Sequence, residues 1–173
     1  MSIRVRAFAQ TDAKAVSTLF AAYMREAYGQ PNVMTPEALR RDVGRFFDLM
    51  LAVDAQGRPV GFAAWRGTYD LHNAVSGGEI PDLYVDRSHR GRLAAIRLVA
   101  AVGRAVLSKG GAFIRAEVLS GVPSRLARRV TIGFPSETVY LPGRGLRELV
   151  ALADASPRDV IRGLPTAEAS RDP

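Results

Sequence analysis

Three arginines, Arg87, Arg90 and Arg92, crowd the turn Arg87-Ser-His-Arg-Gly-Arg92, which joins a short strand (82–85) to a long helix (94–107) of apolar period. That order suits a phosphate for a physical reason. The free N–H groups of a helix's first turn point outward, the helix dipole adds positive potential, and flanking guanidiniums supply full charges. Just upstream, Glu79 and Asp82 place carboxylates on the strand that feeds the turn. A carboxylate there can gather a cation or accept its proton, and each also has a plain reading: Glu79 as a solvent-facing strand residue, Asp82 as a local turn or cap partner. Glu79 lies two positions before Pro81 and shares its strand face. Pro81 gives the ladder no donor and marks a bulge or an unpaired position.

The elements that must hold these residues follow from the periodicity. Ile3 to Ala7 alternates as a first strand. Gln10-Thr-Asp12 offers N-caps for a helix running to about Tyr28, with Val16, Leu19, Phe20, Tyr23 and Met24 at helical spacing. Thr35 caps a second helix with Pro36 at its first position. Residues 48–53 and 59–66 form two strands around the hairpin signal Asp54-Ala-Gln-Gly57. Residues 68–78 read as a loop, 79–85 as a fourth strand and 94–107 as the long helix, which Ser108-Lys-Gly-Gly111 stops. A half-exposed strand (112–119), a short helix (125–130), a last strand (137–141) and a terminal helix (146–153) complete the chain. One domain over 1–165 is expected, with a frayed polar tail at 166–173.

Composition narrows the class. The 173 residues are 47% hydrophobic and 24% charged, ordinary globular values, and no apolar run approaches a membrane span. There is no cysteine, which excludes a thiol nucleophile and thiolate metal sites, and two histidines, His72 and His89, make a His-rich metal centre unexpected. The N-terminus lacks the apolar stretch of a signal peptide, so a cytoplasmic protein is expected. The net charge of +7 rests almost wholly on arginine, with Lys14 and Lys109 the two lysines. Such a balance reflects base composition of the genome or an anionic partner, a nucleotide-bearing cofactor or a nucleic acid.

Arg90-Gly-Arg-Leu-Ala-Ala95 resembles motif A of the GNAT N-acetyltransferase superfamily, (Gln/Arg)-x-x-Gly-x-(Gly/Ala), which holds the pyrophosphate of acetyl-CoA. The element order β-α-α-β-β-β-α-β-α-β is that superfamily's too. Three stretches are similar to its diamine and polyamine branch: Met34-Thr-Pro-Glu-Ala-Leu-Arg-Arg-Asp42, Val60-Gly-Phe-Ala-Ala-Trp-Arg-Gly-Thr-Tyr-Asp70 and Ile80-Pro-Asp-Leu-Tyr-Val85. The resemblance implies an α/β (α+β) GNAT fold, a mixed central sheet with strands four and five splayed and helices flanking it. It implies direct transfer from acetyl-CoA to the primary amine of a small molecule, without a covalent enzyme intermediate. The cofactor residues it implies are Tyr84, Val85, Arg90, Gly91, Arg92, Leu93, Ala94 and Ala95; Arg128 as a contact to a cofactor phosphate, and Glu79, Asp82 and Tyr140 for catalysis, are read from their places in this sequence. An alkyl amine is only about 0.04% neutral at pH 7, a penalty of about 4.6 kcal/mol, which is why a base is useful.

Three departures from the pattern carry expectations. Pro81 occupies the place of the usual acid, so Glu79, aided by Asp82, is expected to take its work. Arg128 stands where the branch has its acid tyrosine and cannot donate a proton, leaving Tyr84 and Tyr140, each also read as core. Leu93 replaces the middle Gly. Counted as the third or fourth residue of a helix it has ordinary negative φ, so its side chain, not its backbone, would narrow the pyrophosphate path. The competing readings are a CoA-binding or sensor module without catalysis and a GNAT enzyme acting on charged tRNA. Nucleic acid as a binding partner is otherwise not expected, and a homodimer is compatible with the sequence.

Overall fold

Charged and apolar residues alternate from Ile3 to Ala7, and β1 (Arg4–Ala7) forms there, antiparallel to β2 (Asp48–Val53) from Arg4↔Val53 to Ala7↔Met50. The computed structural model describes residues 3–117, 132–133, 138–141 and 143–151. Between those strands lie α1 (Ala13–Tyr28) and α2 (Pro36–Asp42). After them come β3 (Pro59–Asp70), β4 (Val75–Val85), α3 (Ala94–Ser108), β5 (Phe113–Glu117), β6 (Ile132–Gly133), β7 (Thr138–Leu141) and α4 (Gly143–Ala151). The strands make one sheet in the order β1-β2-β3-β4-β5-β7-β6. It is mixed: β5 runs parallel to β4, and β7 antiparallel to both β5 and β6. The expected α/β architecture, a mixed sheet with helices, is therefore present.

The described residues group into two compact units, one drawn from Met1–Ala64 and Leu83–Leu98, the other from Trp65–Asp82 and Val99–Pro173. In the first, α1 and α2 bury Val16, Leu19, Phe20, Tyr23 and Leu39 with Leu49, Leu51, Val53, Phe62 and Tyr84. Thr35 caps α2 by accepting the Ala38 N–H at 3.1 Å, and Gly29 ends α1 in the left-handed region, as residue types at those positions dictate. The β2–β3 turn closes on Asp54, whose Oδ1 accepts the N–H groups of Gln56 and Arg58, both at 2.9 Å. Asp12 departs from its expected capping role. Its carboxylate turns back to accept the Ala9 N–H at 2.8 Å and both Nη atoms of Arg6 at 2.6 and 2.8 Å.

In the second unit β4 and β5 pair from Gly77↔Phe113 to Ile80↔Ala116. The register ends where Pro81, with no N–H to give, follows. The expected loop over 68–78 is a correction: β3 runs on to Asp70, β4 begins at Val75, and only 71–74 turn. Asp70 closes that turn by accepting the His72 N–H at 2.9 Å. Gly77 and Gly78 look like loop residues but serve space. A Cβ on Gly77 would fall 2.5 Å from the Phe113 ring, and one on Gly78 would fall 2.4 Å from Val106. The terminal helix likewise begins earlier than expected, at Gly143, and ends at Ala151. The expected short helix over 125–130 lies outside the described residues.

Candidate functional site

The first unit carries the basic turn. Tyr84 and Val85 close β4, both buried. The Asp86 N–H donates to the Val60 carbonyl at 2.9 Å, and the Asp86 carboxylate caps a single 3₁₀ turn (Arg87–His89) by accepting the Ser88 N–H at 3.0 Å. Arg90 follows, then Gly91 at φ +76° and Leu93 at φ +61°. The first helical bond of α3 runs from the Arg97 N–H to the Leu93 carbonyl, 2.9 Å. The N–H groups of Ala94, Ala95 and Ile96 precede that bond and have no acceptor within the helix. Two left-handed residues, an exposed Arg92 between them and a helix start thus bring backbone donors and positive charge together in this turn.

Leu93 corrects the sequence reading. It is the residue that caps the helix, not its third or fourth position, and its backbone is left-handed. The glycine expected there is therefore demanded by backbone angle, and Leu93 bears that angle with a side chain.

Arg90 is more tightly held than a free phosphate ligand would be. Its Nε donates to the Val85 carbonyl at 2.9 Å and its Nη2 to Glu26 Oε1 at 2.7 Å. The Tyr84 hydroxyl donates to Glu26 Oε2 at 3.2 Å. Arg90 holds the Glu26 carboxyl below its ordinary range, with Arg87 adding to the effect. Burial, and then the Glu26 charge, push the Tyr84 phenol above its ordinary 10.0. Glu26 escaped the sequence reading. Its one signal is position: an acid in the last turn of a helix opposes the dipole and needs cations to offset it.

The remaining candidates lie in the second unit. Glu79 is bridged by two guanidiniums, Arg66 Nε at 2.7 Å and Arg115 Nη2 at 3.3 Å. Asp82 is half-buried three positions further along β4, beyond Pro81. Tyr140 lies on β7 opposite Arg115. Arg128 lies outside the described residues.

A sequence profile of the Acetyltransferase (GNAT) family matches residues 13–125. The chain belongs to that family. The basic turn and the start of α3 fall inside the matched span. Among curated proteins, none matches this GNAT chain in sequence. Solved structures share its fold. A ribosomal-protein-alanine N-acetyltransferase from Brucella melitensis biovar Abortus 2308 is similar with TM-score 0.59 and 20% identity, over 70% of this chain and 83% of that one. The NatC complex bound to Gag peptide and CoA is similar with TM-score 0.61 and 16% identity, over 82% of this chain and 99% of that one. An aminoglycoside acetyltransferase from an uncultured soil metagenomic sample gives 0.56 and 22%, over 70% and 83%. As a GNAT protein the chain is an acyl-CoA-dependent N-acetyltransferase with acetyl-CoA as co-substrate. By name these neighbours concern a ribosomal protein, a bound peptide and an aminoglycoside, so the likeness they establish stands at the level of the superfamily. No helix among the described residues is long and apolar enough to cross a membrane.

Proposed function

We propose that this GNAT enzyme binds acetyl-CoA by its diphosphate at the turn Arg90–Ala95 and acetylates the primary amine of a small molecule. The observation that carries the reading is the pair of left-handed residues, Gly91 and Leu93, leading into α3 with Ala94–Ile96 N–H groups free of helical acceptors. Residue types and geometry there fit an anion. Arg92 and those N–H groups hold the diphosphate, Arg90 and Gly91 shape the turn, and Tyr84 and Val85 end the strand beside it. Bound acetyl-CoA supplies the acetyl thioester that the neutral amine attacks directly.

The chain's own part on the amine side falls to Glu79. One oxygen accepts the Arg66 Nε hydrogen and the other pairs with Arg115, leaving lone-pair sites for an ammonium or a bridging water. Glu79 thus orients the amine and takes its proton. Asp82 is the alternative base, and Tyr140 is the candidate proton donor to the departing thiolate; Arg128 is carried as a contact to a cofactor phosphate from the sequence alone. The diamine and polyamine branch supplies the acceptor class, a primary alkyl amine. Incubation with acetyl-CoA and a panel of primary amines, followed by mass spectrometry, tests this. Acetylated product from at least one alkyl amine is expected; free thiol release with no acetylated amine would count against it.

A further inference from the structure

Glu26 sits in the last turn of α1 (Ala13–Tyr28), facing the negative end of the helix dipole. Three donors converge on it: Arg90 Nη2 at 2.7 Å, Arg87 Nε at 3.2 Å and the Tyr84 hydroxyl at 3.2 Å. Arg87 is mostly exposed, so its pairing contributes little. The other contacts form a closed set. Arg90 also donates to the Val85 carbonyl, and its guanidinium lies 5.7 Å from the Tyr84 ring centroid. Tyr84 is buried and packs against Tyr23 of α1. Helix α1, the end of β4 and the first residue of the turn are thus tied through one carboxylate.

We infer that Glu26 is the positioning residue of the cofactor turn and acts through Arg90. This rests on the reading of Arg90–Ala95 as the diphosphate site. The residues after Arg90 hold left-handed angles, Gly91 at +76° and Leu93 at +61°, that nothing in a helix or strand would impose. Where each donor after residue 90 points depends on where residue 90 is held. With Arg90's charge paired to Glu26, the part of Arg90 in this reading is to place Arg92 and the N–H groups of Ala94, Ala95 and Ile96 rather than to supply the attraction itself. The opposing arrangement is a carboxylate that merely occupies Arg90 until the diphosphate displaces it. The two differ in sign: loss of the Glu26 charge weakens CoA binding in the first and tightens it in the second.

The test is a double-mutant cycle read by calorimetry of CoA binding, with wild type, Glu26→Gln, Arg90→Met and the double variant, each held below its melting temperature. Glu26→Gln is expected to raise Kd by about tenfold, the lower edge for losing a charged hydrogen bond. KM for acetyl-CoA should rise with it while kcat holds. In the Arg90→Met background the same change should add no more than about twofold, within ordinary additivity error. Unchanged or tighter binding in Glu26→Gln would overturn the inference, as would an equal loss in both backgrounds. If Glu26→Gln fails to fold, Tyr84→Phe, which keeps the ring and removes one donor to Glu26, is expected to raise Kd by roughly threefold; an unchanged Kd there overturns it. Wild-type protein that does not bind CoA would instead remove the underlying reading of the turn.

Discussion

Leu93 bears a left-handed backbone at a cost of roughly 1–2 kcal/mol. Replacing it with glycine removes that cost, offset by roughly 0.5–1 kcal/mol of unfolded-chain freedom. The melting temperature of Leu93→Gly should therefore hold or rise by up to about 3 °C. Clearing the half-buried side chain from the turn should also tighten CoA binding by calorimetry. A lowered melting temperature would mean that Leu93 packs well enough to compensate for its backbone. Glu79 makes a second case at this scale. Glu79→Gln keeps the shape and a hydrogen-bonding group but removes charge and base. It should lower kcat/KM by about 10²-fold at neutral pH, with the loss shrinking as pH rises and free amine grows abundant. Wild-type turnover at pH ~7 would pass the base role to Asp82.

At the scale of elements, the link between β1 and α1 is an ion pair. Arg6 holds the Asp12 carboxyl below its ordinary 3.8, through hydrogen bonds that outweigh the opposing effect of burial. Glu26 is lowered from 4.5 by Arg90 in the same sense. A carboxyl lowered on folding stabilises the fold fully above its unfolded value and loses that contribution as pH falls through and below it. Stability measured by urea midpoint should drop between pH ~6 and pH ~3. Asp12→Asn should lower stability at pH ~6 by roughly 1–3 kcal/mol and flatten the acid slope; an unchanged slope would mean the pair is solvated in both states. The helices and strands themselves were largely legible, because period, Thr35-Pro36 and the Asp54–Gly57 turn are local signals. Ser76-Gly77-Gly78 misled for a physical reason: these glycines are required by Phe113 and Val106, residues distant in sequence. The candidate turn was legible in residue type but not in backbone. No local pattern announces that Leu93 precedes the helix rather than entering it, and Arg90's partner Glu26 lies in another element.

For the whole molecule, a net charge of +7 sets a positive field suited to an anionic cofactor, yet the field alone does not make a site. Locally, Glu26 balances part of the charge of Arg87 and Arg90, and Glu79 part of that of Arg66 and Arg115. The proposed cofactor turn adds Arg92 and the start of α3 to that field. The most direct test is the thermal shift produced by acetyl-CoA in wild type and in Arg92→Glu. At about 100 times Kd the wild type should gain about 2.7 kcal/mol of stability. Arg92 is exposed, so the variant should melt near the wild type without ligand and lose the acetyl-CoA shift almost entirely. An undiminished shift in Arg92→Glu would contradict the assignment of the cofactor to this turn.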